Sequence, residues 1–225
     1  MAHPKGGYRD ADGARIPGVT TVIGRFKDSK ALMFWAFGRG KDGHESLYES
    51  RDKAATAGTA THELCDAHIN GDVLVAGGEP TSRAREVANV PDEMWPLVWS
   101  SFQAYLAWER QTKIKIIDTE RSLVSAKGYG GTYDAIGEID GKLCLLDWKT
   151  SNGVYSDMVY QLGAYKSLYE EHHDRKIDGG YHLLRFAKTH GDFAHHFWPN
   201  LDEAIEGFML MLRLYKIDQG IKKRV

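Results

Sequence analysis

The stretch Gly128-Tyr129-Gly130-Gly131-Thr132-Tyr133-Asp134, continued by Leu145-Leu146-Asp147-Trp148-Lys149-Thr150, decides how this 225-residue chain is read. Asp140-Gly141 lies between the halves, flanked by Ile139 on one side and Leu143-Cys144-Leu145-Leu146 on the other, the pattern of a tight hairpin turn joining two strands. Folding at that turn brings Asp134 level with Asp147, because each lies about six residues from it. Side chains alternate across a strand, so Asp147 and Lys149 share one face while Leu146 and Trp148 take the other, toward the core. Two carboxylates and a lysine then converge. In a half-buried site the carboxylates repel each other unless a divalent cation neutralises them, and hard oxygen ligands suit Mg²⁺ or Mn²⁺. A lysine beside such an ion orients or deprotonates a water and stabilises charge growing on a phosphate. Spacing alone weighs this equally against a plainer arrangement, in which Asp134 caps a turn and Asp147 pairs with Lys149 on an exposed strand face. Against the plainer arrangement, the run Leu-Leu-Asp-Trp is apolar for a solvated edge, so Asp147 needs a ligand or partner to offset its desolvation.

Outward from that stretch, 42% hydrophobic and 27% charged residues suit one compact α/β domain with a sizeable core. No linker, low-complexity segment or repeat of fixed period divides it. Cys65 and Cys144 sit in apolar contexts without metal-type or disulfide-framework spacing, which predicts reduced thiols in a cytoplasmic compartment. The opening Met1-Ala2-His3-Pro4-Lys5 lacks the apolar core of a signal peptide, and runs such as Phe208 to Leu212 are too short to span a bilayer, so a soluble chain with no membrane partner is expected. The net charge of −2 supplies no global field toward nucleic acid. Contact with DNA would have to be local and metal-assisted.

In chain order, Pro17 to Ile23 reads as a strand or extended lead-in, and Ser29 to about Gly38 as an amphipathic helix with Trp35 in the core. Asp52 to Ile69 reads as a second helix stopped by Asn70-Gly71. It carries Gly58-Thr59-Ala60-Thr61-His62-Glu63, but a zincin motif needs a second histidine at 66, which is Asp, and a lone helical histidine is ordinarily structural. Gly77-Gly78-Glu79-Pro80 marks a loop. Asp92 to Gln111 is a long helix whose aromatic stripe suits packing better than stacking on unpaired bases, and Lys113 to Val124 a strand containing Glu120. Asp157 to Glu171 is a helix that stacks Gln161 and Tyr165 on one face at i and i+4. Tyr181 to Phe186 and Asp192 to Trp198 read as two final strands joined at Gly191. His172, His173, His190, His195 and His196 fit no closed zinc spacing and are read as surface or sheet-edge residues. Asn200 and Glu203 suggest a capping box before a last helix, Ala204 to Tyr215, and Lys222-Lys223-Arg224 a solvated basic tail with phosphate contact as the lesser reading.

The order Gly-Gly-Thr-Tyr-Asp ending at Asp134, Asp-Trp-Lys-Thr-Ser from Asp147, then Tyr160-Gln161-Leu162-x-x-Tyr165 resembles the PD-(D/E)XK nuclease superfamily. It is most similar to the RecB-like exonuclease branch, which includes the mitochondrial genome maintenance exonuclease and many phage nucleases. The resemblance covers residues 17 to 170, and Tyr133 stands where the superfamily carries a proline before its first acid. It implies an α/β fold with a restriction-endonuclease-like core, a mixed central sheet flanked by helices. That core would form a single domain over 1–225, with a helical portion about 25–111 and a catalytic sheet about 113–200. It further implies that His62, Asp134, Asp147 and the carbonyl of Trp148 hold one or two Mg²⁺ or Mn²⁺ ions. Lys149 would position the attacking water, and Gln161 and Tyr165 would support the site, hydrogen-bonding Lys149 or a phosphate. Glu120 matches an acid often seen in that strand of relatives. The implied activity is metal-dependent DNA exonuclease cleavage at single-stranded or free ends, in phage or bacterial recombination, repair or replication, with a recombination or replication protein as a further partner. The alternatives are an endonuclease of the same fold and a catalytically silent DNA-binding or recombination-partner module. No Gly-x-x-x-x-Gly-Lys-Ser/Thr loop is present, so the chain is not itself an ATP-driven helicase.

Overall fold

The structure, a computed structural model, describes residue 4 and residues 6–27, 30–43, 47–75, 79–151, 153–186 and 192–224. It resolves into two units, one formed by Met1–Phe26, Glu109–Arg185 and Ala194–Val225, the other by Lys27–Trp108 and Phe186–Phe193.

The first unit opens with two short antiparallel strands, β1 (Tyr8–Arg9) and β2 (Arg15–Ile16), followed by α1 (Val19–Phe26). This corrects the extended reading of 17 to 23. Val19, Val22 and Ile23 recur at helical spacing and are all buried in the main core cluster. Burying that one face outweighs the strand preference of β-branched residues, which is weak and context-dependent.

The second unit holds α2 (Lys30–Lys41), α3 (Leu47–Ile69), α4 (Ser82–Ala88) and most of α5 (Trp95–Thr112). α3 starts five residues before the expected Asp52 but stops where Asn70-Gly71 predicts, with Gly71 at φ 77°. α4 has no counterpart in the sequence reading; the Thr81 hydroxyl caps it by accepting the Ala84 N–H at 3.1 Å. On α5 the aromatic stripe packs on itself, Trp95 stacking on Trp99 at 5.4 Å, Phe102 on Tyr105 at 6.2 Å, and Tyr105 meeting Phe186 edge-on at 5.8 Å. The side chain of Trp35, and Gly77, Gly78, His190 and Gly191, lie outside the described residues.

The first unit then builds its sheet from β3 (Lys115–Ser125), β4 (Tyr129–Ile139), β5 (Lys142–Lys149), β6 (Tyr181–Phe186) and β7 (Phe193–Trp198), in that spatial order. β3, β4 and β5 are antiparallel, whereas β5 and β6 are parallel, so the sheet is mixed. A parallel pair needs a crossover, and α6 (Ser156–His172) supplies it. The β4–β5 turn is the predicted one: Asp140 and Gly141 take φ of 50° and 77°, the paired left-handed angles of a type I′ turn. α6 lies close on β4 because Gly131 has no Cβ; one added there would come within 2.8 Å of both Leu168 and Tyr165. Tyr129, Leu145, Leu162, Tyr165, Leu168 and Phe208 fill the core between the sheet and its helices.

The last helix, α7 (Asp202–Lys222), corrects the expected capping box and the expected end at Tyr215. Its N-cap is Leu201, which makes no side-chain capping bond, so Asn200 falls one residue outside the cap. Asp202 and Glu203 in the first turn instead place negative charge at the positive end of the helix. Both cysteines are buried free thiols. Among the described residues no helix is long and apolar enough to cross a membrane.

Candidate metal-binding acid cluster

The β4–β5 ladder runs from Ile139↔Lys142 to Ala135↔Leu146, and one further step sets Asp134 opposite Asp147. The hairpin arithmetic of the sequence is therefore realised. At that step a side chain takes over from the ladder: Asp134 Oδ2 accepts the Trp148 N–H at 2.7 Å. On the other side, β3 pairs Thr119↔Ala135 and then Arg121↔Tyr133, skipping the rung between. Glu120 occupies the skipped rung with a φ of 48°, a left-handed conformation uncommon for a residue with a Cβ. Its carboxylate lies within 4.8 Å of that of Asp134. Three acids thus stand in a row across three adjacent strands, and Asp134 and Asp147 are fully buried.

Lys149, two residues past Asp147 and on the same face, forms an ion pair with it. Its side chain is only 13% exposed, so the plainer reading of a solvated pair on an outer strand face does not hold. Burial acts to lower the Lys149 pKa, but Asp147, Asp134 and Asp157 outweigh it and hold the ammonium above its ordinary value. The Tyr165 phenol is pushed well above its ordinary value, first by burial and then by the charges of Asp147 and Asp134, which places it in the field of the cluster as a protonated hydroxyl. Gln161, also buried, donates from Nε2 to the Tyr165 hydroxyl oxygen at 2.6 Å. That bond holds the hydroxyl oxygen and leaves its proton available to another acceptor. Gln161 therefore positions Tyr165; its hydrogen bond goes to that residue and not to Lys149.

Two wholly buried carboxylates, a third beside Asp134 and the Lys149 ammonium paired with Asp147 bring charged groups together in a desolvated place. The donors are hard oxygens, and such a set fits a divalent cation of the Mg²⁺ or Mn²⁺ kind. Of the residues predicted from sequence, Asp134, Asp147, Lys149, Gln161 and Tyr165 belong to the first unit and converge there. Trp148 contributes its backbone N–H to Asp134, with its ring buried. His62 lies on α3 in the second unit. Glu120 had only a positional match in sequence; its recruitment depends on the skipped β3–β4 pair.

A second polar cluster lies at the sheet's other edge, where His182 Nδ1 and His195 Nε2 are 2.7 Å apart and His182 Nε2 approaches the Gly179 carbonyl at 3.3 Å. Burial, with the neighbouring His195, lowers the His182 pKa to about 4.

No family model matches the chain, and no curated protein matches it. Among solved structures, the crystal structure of SSO0001 aligns with 58% of this chain at 15% identity and a TM-score of 0.34, a likeness too low to carry an argument. The alignment spans 64% of that protein's own length. Fold and site together define an α/β protein with a five-stranded mixed sheet flanked by helices, carrying a buried acid cluster of metal-binding composition.

Proposed function

We propose that this chain is a metal-dependent deoxyribonuclease with a restriction-endonuclease-like core, of the RecB-like PD-(D/E)XK kind, and an exonuclease in preference to an endonuclease. The observation that carries the reading is the strand register that sets Glu120 and Asp147 on either side of Asp134, with Lys149 ion-paired to Asp147. The antiparallel β4–β5 hairpin followed by a helical crossover to parallel β6 supports the finer fold assignment.

In this reading Asp134, Asp147 and Glu120 are the carboxylate ligands, joined by the Trp148 carbonyl and, from its sequence motif, by His62. A bound Mg²⁺ or Mn²⁺ supplies Lewis acidity at a phosphodiester oxygen and lowers the pKa of water. Lys149, held charged by Asp147, orients the attacking water and faces charge building on phosphorus. Tyr165, steadied by Gln161, keeps its proton, so its hydroxyl is free to donate to a phosphate. The partner is DNA, single-stranded or with free ends, in phage or bacterial recombination, repair or replication.

The test compares linear and covalently circular single-stranded DNA of one sequence, with Mg²⁺, Mn²⁺ or chelator, for the native chain and Asp147→Asn. Metal-dependent loss of the linear strand alone, absent in the variant, is expected. Equal loss of the circle would make it an endonuclease. No cleavage of either by the native chain would overturn the nuclease assignment.

A further inference from the structure

The first unit contains an open cleft of about 710 Å³ formed by the β1–β2 arm, the start of α1 and the last turns of α7. Its polar walls are Arg15, Thr20, Thr21, Lys216, Gln219 and Lys223: three cations and no carboxylate, in a chain whose net charge is −2. Among the described residues neither Arg15 nor Lys223 forms an ion pair, and both are exposed. Lys216 donates to the neutral carbonyl of Lys127 at 2.5 Å and forms no ion pair among the described residues. Of the basic tail, Lys223 lines this concave surface, while Lys222 pairs with Asp218 and all three tail residues remain exposed.

The cleft is pinned to the strand that carries the acid cluster. Tyr8, in its wall, bonds through its hydroxyl to Thr132 Oγ1 at 2.9 Å, two residues before Asp134. The Pro17 carbonyl, also in the wall, accepts the Gly130 N–H at 3.0 Å. Gly130 to Asp134 spans about 13 Å at roughly 3.3 Å per strand residue, the reach of a few nucleotides at about 3.4 Å of rise each.

We infer that this cleft grips backbone phosphates of the nucleic-acid strand whose scissile phosphate lies at the acid cluster. The inference rests on the nuclease reading for the strand's identity. Guanidinium, ammonium and hydroxyl donors are the groups that hold phosphate without reading bases, and a local basic cleft supplies the grip that the chain's net charge does not.

The test measures binding of a fluorescent single-stranded oligonucleotide by anisotropy in Ca²⁺, which the same oxygen ligands accept, over a salt series. The native chain, Arg15→Ala, Lys223→Ala and the double variant are compared, with inorganic pyrophosphate as competitor. The double variant should bind about tenfold more weakly, and the slope of log affinity against log salt should fall by about 1.4, at roughly 0.7 for each single-strand phosphate that a side chain ceases to neutralise. Both side chains are exposed, so the unfolding midpoint should not change. Unchanged affinity and slope in the double variant, while the native chain still cleaves DNA, would overturn the cleft and leave the nuclease reading standing. Arg15-dependent pyrophosphate binding that does not compete with the oligonucleotide would also overturn it, in favour of a small-anion site. Oligonucleotide binding that requires Arg15 and Lys223 in a chain that never cleaves would sustain the cleft and sink the nuclease.

Discussion

Lys149→Met removes the ammonium ion-paired with Asp147, which like neighbouring Asp134 is fully buried, and puts a side chain of similar length in its place. Loss of one partner of a buried pair leaves uncompensated charge in a desolvated site, a cost of about 3 to 5 kcal/mol. The lower figure suits a lysine that retains 13% exposure. At about 2 to 4 °C per kcal/mol for a chain of this length, the thermal midpoint in chelator should fall by roughly 6 to 12 °C. Because the folded-state pKa of Lys149 is raised above 10.5, its contribution is complete at neutral pH and is lost only as pH rises through that raised value. The deficit at pH 7 is therefore the whole deficit. Adding Mn²⁺ should stabilise the variant more than the native chain, since the cation replaces the positive charge that Asp147 loses, whereas DNA cleavage should stay absent even when the midpoint is restored. Thermal unfolding with and without Mn²⁺, together with release of nucleotides from end-labelled DNA, reads both effects. A variant that melts with the native chain in chelator and gains no more from Mn²⁺ would refute the buried, ion-paired cluster. One that cleaves normally would refute the role given to Lys149.

Glu120→Gln keeps the size of the side chain and removes its charge, so the Mn²⁺ concentration for half-maximal stabilisation should rise about tenfold while the chelated protein melts no lower; an unchanged titration would remove Glu120 from the ligand set. Gln161→Ala should lower turnover more than stability, because the amide's bond is to the Tyr165 hydroxyl and not to the backbone; a fallen midpoint with unchanged specific activity would return Gln161 to packing. His62→Ala should weaken Mn²⁺ more than Mg²⁺ activation, imidazole favouring the softer ion, and equal activation by both would exclude His62. The His182 pKa, lowered from 6.5 to about 4, makes folding stability complete above about pH 6.5 and progressively lost toward pH 4. The loss should be about 3 kcal/mol, read as the difference between denaturant unfolding at pH 7 and pH 4, and much of it should vanish in His182→Leu.

The central hairpin was readable because every interaction that sets it is local. Asp140-Gly141 dictates the turn, the turn dictates the register, and the register sets Asp134 opposite Asp147. Gln161 and Tyr165 were likewise adjacent through helical spacing alone. The reading failed where burial of a face against distant segments decided the outcome. Val19, Val22 and Ile23 look strand-like in isolation and become a helix because their shared face enters a core built with α6 and α7. The aromatic stripe of α5 offered two readings, and its own ring-to-ring packing, with Phe186 from a segment far along the chain, resolves them toward the core.

By itself the sequence determined the acid pair, its lysine and the helix that covers them, since turn chemistry and the periods of strand and helix act over a few residues. Only the tertiary structure decided that the pair is buried, that Glu120 joins it through a skipped rung on β3, and that Arg15 and Lys223, more than 200 residues apart, line one cleft. Those outcomes depend on three separated segments closing into one unit. Desolvation and charge proximity are properties of that closure, and no local pattern encodes them.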